Sequence, residues 1–161
     1  MQKKIDNFHK AISQILVENG STVLDLNKID NKQKITIPIE QRNGSYYVVL
    51  NVCGKFVKYL IDSGASNVTI TSETENEFLE KKIITKSSYL SSSKYMLADG
   101  STKIYKRIMI PWVKIKGVNI ENVTAALSEN NTTPLLGKSF FDKFSYWKIN
   151  NSNNTLELQK K

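Results

Sequence analysis

The sequence predicts a mainly β domain with two short helices, preceded by a helix at the N-terminus. Three observations carry this. Ile35, Ile37 and Ile39 alternate with Thr36, Pro38 and Glu40, the two-residue period of a strand with one buried face. Residues 46–52 are dense in aromatic and β-branched side chains and lie between two turn-forming stretches, Arg42-Asn43-Gly44-Ser45 and Cys53-Gly54. Residues 50–57 are also echoed by residues 113–120. Each is a strand, a glycine turn and a returning strand, followed downstream by two apolar residues and a loop glycine: Leu60-Ile61-Asp62-Ser63-Gly64 and Leu135-Leu136-Gly137. The echo implies a lobe of two similar halves with an acid kept in one.

The elements follow in chain order. Ile5, Phe8, Ile12, Ile15 and Leu16 recur at a helical period, and Asn19-Gly20 supplies a C-cap. Residues 1–34 are thus an N-terminal helix and connector, and residues 35–161 the β domain. Pro38 cannot donate to a ladder, so the first strand belongs at a sheet edge. Strands are expected over residues 46–52, 56–61 and 68–70. A helix is expected over 72–82, with Ser72 as N-cap and Glu75 completing a capping box. The serine-rich residues 86–93 read as a loop. Strands around 95–97 and over 103–116 flank the turn Ala98-Asp99-Gly100-Ser101. A strand over 118–123, a helix over 139–144 and a hairpin of 146–149 with 156–158 complete the chain.

Composition narrows the function. A length of 161 residues suits one ordinary domain. No stretch reaches the roughly 18 apolar residues of a membrane span, and no apolar signal core opens the sequence, so neither a span nor a secretory signal is expected. The single cysteine, Cys53, forbids an internal disulfide and fits a reducing compartment such as the cytoplasm. One His and one Cys make a zinc site on those ligands untenable, and no metal or cofactor is expected. The net charge of +8 raises nucleic-acid binding. Yet the basic residues are scattered singles and pairs without interleaved aromatics, so no nucleic-acid partner is expected.

Chemistry concentrates at Asp62-Ser63-Gly64-Ala65-Ser66, directly after the apolar Tyr59-Leu60-Ile61. Asp, Ser and Gly also favour turns for conformational reasons alone, so the triplet by itself is compatible with a plain turn. Its context adds a rigid strand end before the carboxylate and a glycine that admits close backbone approach. A serine nucleophile at Ser63 or Ser66 lacks a Gly-x-Ser-x-Gly elbow, and His9 lies far away in the N-terminal helix.

Two apolar residues followed by Asp, Ser/Thr, Gly and Ala resemble the active-site signature of retropepsin-like aspartic proteases. The likeness continues through Ala98-Asp99-Gly100, where that family has its flap, to Pro134-Leu135-Leu136-Gly137-Lys138-Ser139-Phe140-Phe141. The last stretch is similar to the second apolar-apolar-Gly element and helix of the bacterial and retrotransposon-like branch. The resemblance covers residues 35 to 158 and departs in detail. Ser63 stands where Thr is commoner, Lys138-Ser139 replaces Arg-Asn or Arg-Asp, and the flap carries only Gly100.

The resemblance implies a single-lobe acid protease fold, a closed or partly open β-barrel with short helices. It implies an aspartic endopeptidase acting on extended, locally apolar peptide. Asp62 would be catalytic, Ser63, Gly64 and Ala65 would support its loop, Leu135, Leu136 and Gly137 would form the second element, and Ala98, Asp99 and Gly100 would form the flap. None of Asp6, Asp25, Asp30, Asp99 or Asp142 repeats the context of Asp62, so the second acid would be Asp62 of another copy in a homodimer. The competing reading is an inactive peptide-binding or dimerisation module on the same fold.

Overall fold

The computed structural model describes residues 33–161, which form one compact unit. The expected N-terminal helix and nearly all of its connector lie outside the described residues. Among the described residues, eleven strands, two α-helices and one 3-10 turn follow: β1 (Lys34–Pro38), β2 (Glu40–Arg42), β3 (Ser45–Val52), β4 (Lys55–Ile61), β5 (Val68–Thr71), α1 (Ser72–Glu80), the 3-10 turn (Lys86–Ser88), β6 (Tyr89–Met96), β7 (Thr102–Ile115), β8 (Val118–Ser128), β9 (Leu135–Leu136), α2 (Lys138–Phe141), β10 (Phe144–Asn150) and β11 (Thr155–Lys160). The mainly β reading holds.

The larger sheet runs β5-β8-β7-β3-β4-β9, with β2 added on β3 and β6 on β7; the smaller runs β1-β11-β10. The path ends, β5 and β9, approach each other without a ladder. The Leu135 N–H donates to the side-chain hydroxyl of Thr69 at 2.7 Å instead of to a backbone carbonyl. The sheet therefore stays open, and of the two barrel forms expected, the closed one is not found.

Alternation drives the burial. Ile35, Ile37 and Ile39 are buried while their neighbours face outward, and β1 sits at an edge, as Pro38 requires. Val48, Leu50 and Val52 of β3 pack with Ile108, Ile110 and Val123 of β7 and β8 in one core. Phe140, Phe141 and Phe144 extend that core, and Trp147 stacks on Phe141 with centroids 4.3 Å apart, fastening the smaller sheet to α2. β11 is the middle strand and buries Leu156, Glu157 and Leu158 in succession. Glu157 accepts from Asn150 at 3.0 Å and meets Lys34 at 3.1 Å and Lys148 at 3.5 Å. The Asn150 hydrogen bond and the nearby Lys34 hold its carboxyl down at about 2. Among the described residues, one buried side-chain polar atom has no such partner: the Tyr59 hydroxyl.

Four expected boundaries move. The α1 cap is Thr71, not Ser72: Thr71 Oγ1 accepts from the Thr74 N–H, while Ser72 Oγ donates to the Ser128 carbonyl. Glu75 forms no capping box, because its carboxylate takes the Tyr89 hydroxyl proton donor. Residues 89–93 are strand rather than loop, since β6 pairs along β7 with a bulge between Leu90 and Ser93. β8 runs on to Ser128, because β5 pairs with it in parallel from Ala125 to Ser128, and Ala125, Ala126 and Leu127 are buried. α2 is one turn, Lys138–Phe141, rather than residues 139–144, as Phe144 already enters β10.

Candidate active site

The Asp62 loop is built by strand ends meeting in parallel. β4 pairs with β9, Leu60 beside Leu135 and Ile61 beside Leu136. That ladder is extended by the Leu60 N–H to the Pro134 carbonyl at 2.9 Å and the Asp62 N–H to the Leu136 carbonyl at 3.1 Å. Asp62 is thus the first residue past a strand whose last hydrogen bond is its own N–H. The chain then turns tightly, with the Ala65 N–H donating to the Asp62 carbonyl at 3.2 Å and the Gly64 N–H to Asp62 Oδ1 at 2.9 Å. A β-carbon on Gly64 would stand 3.2 Å from Asp62 Oδ1, so the bare glycine leaves the carboxylate room.

The far side of the loop is clasped by the second element. The Lys138 N–H donates to the Ala65 carbonyl at 2.7 Å and the Ser139 N–H to the Ser66 carbonyl at 3.1 Å. Ser139 Oγ donates to the Thr124 carbonyl at 2.7 Å and accepts from the Val68 N–H at 2.9 Å, joining loop, β8 and α2 through one hydroxyl. Gly137 lies against the loop backbone. A β-carbon there would fall 2.3 Å from the Asn67 carbonyl oxygen and 2.6 Å from that of Ala65. Only glycine fits that approach. The structure therefore brings Asp62, Ser63, Gly64 and Ala65 together with Leu135, Leu136 and Gly137. Asp62 is half-buried, and Ser63 and Gly64 are exposed.

Ala98, Asp99 and Gly100 occupy the exposed tip of the β6–β7 hairpin. The tip is closed by the Leu97 N–H to the Ser101 carbonyl and the Gly100 N–H to the Leu97 carbonyl, at 2.8 and 2.9 Å. Asp99 Oδ1 accepts from the Ser101 N–H, and hydrogen bonds from Ser101 hold its carboxyl below the usual range. Asp99 is a turn former, and Asp142 is bound to Lys138 Nζ at 2.7 Å.

One connection escaped the sequence reading. The Tyr95 hydroxyl on β6 donates to Asn67 Oδ1, so the hairpin is tied to the residue that ends the acid loop. Tyr95 also meets Tyr105 edge-on at 5.7 Å. Tyr95 and Asn67 stand 28 positions apart, and no local pattern signals the contact. A groove of about 640 Å³ elsewhere is lined by residues including Ile39, Val49, Phe56 and Lys116, and Asp62 is not among its walls.

Comparison with known proteins identifies the family and the fold. Residues 48–143 match the family described as "gag-polyprotein putative aspartyl protease". A comparison with curated protein sequences finds no match. Among solved structures, the chain is similar to a retropepsin-like aspartic protease from Rickettsia conorii, with a TM-score of 0.58 and 23% identity over 80% of this chain and 91% of that one. At that identity the likeness speaks for the fold. Among the described residues, no helix is long and apolar enough to cross a membrane. The matched residues run from within β3 through α2 and include both the acid loop and its glycine clasp, and the chain belongs to the retropepsin-like, gag-type aspartyl protease family.

Proposed function

We propose that the chain is an aspartic endopeptidase whose catalytic pair is Asp62 of one copy and Asp62 of a second. Peptide hydrolysis needs a base to activate water and an acid to protonate first the carbonyl oxygen and then the leaving amine. Two carboxylates about 3 Å apart share one proton and divide these roles between them. The observation that carries the reading is the loop itself, with a half-buried carboxylate held at a strand end by Leu136 and Gly64 beside the exposed Ser63. A twofold axis beside this loop supplies the second acid from the same sequence. Water is the nucleophile, so the step needs no covalent intermediate.

In this reading the β6–β7 hairpin is the flap, and an extended peptide lies between it and the acid loop, pairing through its backbone. Met96 and Ile104, 79% and 73% exposed, give the hairpin apolar surface close to its tip. The test is incubation of the purified protein with a mixed peptide library, with and without a statine-type transition-state analogue. Cleavage that the analogue blocks and that Asp62→Asn abolishes is the expected result. Intact peptides under conditions where the protein is folded and dimeric would leave a binding module instead.

A further inference from the structure

The β6–β7 hairpin carries a marked excess of basic side chains. Several basic side chains elsewhere are matched: Lys55 with Glu77 and Lys58 with Glu40, each at 2.5 Å, and Lys138 with Asp142 at 2.7 Å. From Tyr89 to Arg107 the hairpin holds Lys94, Lys103, Lys106 and Arg107 against a single acid, Asp99. Asp99 is occupied by its own turn. Among the described residues, Lys94, Lys106 and Arg107 meet no carboxylate, and Lys103 reaches only the exposed Glu129 at 3.6 Å.

Strand geometry sorts these cations by face. Ser93 pairs with Tyr105 and Tyr95 with Lys103, so these four side chains share one face, and Arg107, two residues beyond Tyr105, continues it. Lys94, Ile104 and Met96 are on the other face. The Tyr95 hydroxyl reaches Asn67, so the face with Lys103 and Arg107 is the one turned toward the acid loop. Burial raises the Tyr95 phenol above its usual range, and the positive charge of Arg107 opposes that rise. Arg107 is held there by its Nε donating to the Ser91 carbonyl at 2.8 Å, within the bulge of β6.

We infer that Lys103 and Arg107 make this hairpin a reader of acidic peptide, selecting substrates with Asp or Glu flanking the apolar residues at the cut. This rests on the protease reading for where the peptide lies. The selection comes from Arg107, which meets no carboxylate among the described residues, and from Lys103, whose one ion pair is the loose contact with the exposed Glu129 at 3.6 Å. Basic side chains could also attract nucleic acid, but Tyr95 and Tyr105 are spent on Asn67 and on each other, leaving no free ring stack for bases.

Two peptides with one apolar core, flanked by Glu in the first and Gln in the second, decide the matter. Their cleavage by the full chain is measured as kcat/KM, and their binding to the Asp62→Asn chain by fluorescence anisotropy. The Glu-flanked peptide should be favoured about fivefold in both, the order expected of two partly exposed ion pairs. The preference should fade as salt rises from about 0.02 to about 0.5 M. Lys103→Gln should reduce the ratio, and Lys103→Gln with Arg107→Gln should bring it to one. If loss of the Ser91 contact unfolds the double variant, the salt series and the single variant decide alone. Preference in binding without any cleavage would uphold the acidic reader and sink the protease reading. Equal treatment of both peptides at low salt, or a single-stranded oligonucleotide displacing the Glu peptide at lower concentration than that peptide itself, would overturn the inference.

Discussion

The two halves of the β domain use the same local design for different ends. In the first, β3 turns through Cys53-Gly54 into β4; in the second, β7 turns through Lys116-Gly117 into β8. Both turns have two consecutive residues at positive φ, 49° and 95° in one and 43° and 81° in the other, which matches the twist of a tight hairpin. Each half then lends a strand to the other: β9 pairs in parallel with β4, and β5 in parallel with β8. The difference lies just past the apolar pair. After Leu60-Ile61 comes a carboxylate with space around it; after Leu135-Leu136 comes a glycine pressed on backbone. One half ends in a carboxylate and the other in the glycine that clasps the loop carrying it.

Variants can break or sharpen this contrast. The largest effect is expected from Asp62→Asn, which should fold and dimerise yet lose essentially all peptidase activity, since acid and base roles act as a unit. Activity within tenfold of the parent would show that the acid half is not the reactive one. Next is Gly137→Ala. Its β-carbon would lie 2.3 Å from a carbonyl oxygen, and relieving that overlap by backbone movement should cost about 3 kcal/mol or more. Urea unfolding reads the loss directly. Gly64→Ala is the matched control in the other half. Its nearest neighbour is the Asp62 carboxylate at 3.2 Å, so stability should change by less than about 1 kcal/mol while activity falls as the carboxylate shifts. Equal destabilisation by the two substitutions would erase the distinction between acid loop and clasp. The smallest effect is a gain: Tyr59→Phe removes a buried hydroxyl without a partner and should raise stability by about 1 kcal/mol. A loss there would mean that the hydroxyl is satisfied in solution.

Much of this was legible from residue pattern alone. Where one face was buried, as at Ile35, Ile37 and Ile39, alternation located the strand. Where a turn needed positive φ, as at Cys53-Gly54 and Lys116-Gly117, the glycine marked it. The acid loop and its glycine element could be found because each follows an apolar pair. β6 was missed over residues 89–93 because it is a projecting strand with both faces largely open, so no apolar period marks it. The α1 cap was displaced by one residue because Thr71 and Ser72 are both good caps, and only the Ser128 carbonyl decides between them by engaging Ser72. The tie from Tyr95 to Asn67 and the clasp of Ser139 on Val68 join residues distant in sequence, and nothing local encodes such partners.

The central claim, that each active site takes Asp62 from two chains, is tested most directly by mixing. Wild-type protein is combined with excess Asp62→Asn protein, and subunit exchange is followed independently by mass. If the site is shared, most wild-type chains come to sit in mixed dimers with one carboxylate. Activity per wild-type chain should then fall with the fraction of wild-type chains still paired with each other. Activity per wild-type chain that stays constant after proven exchange would contradict the shared site and require a second acid within one chain.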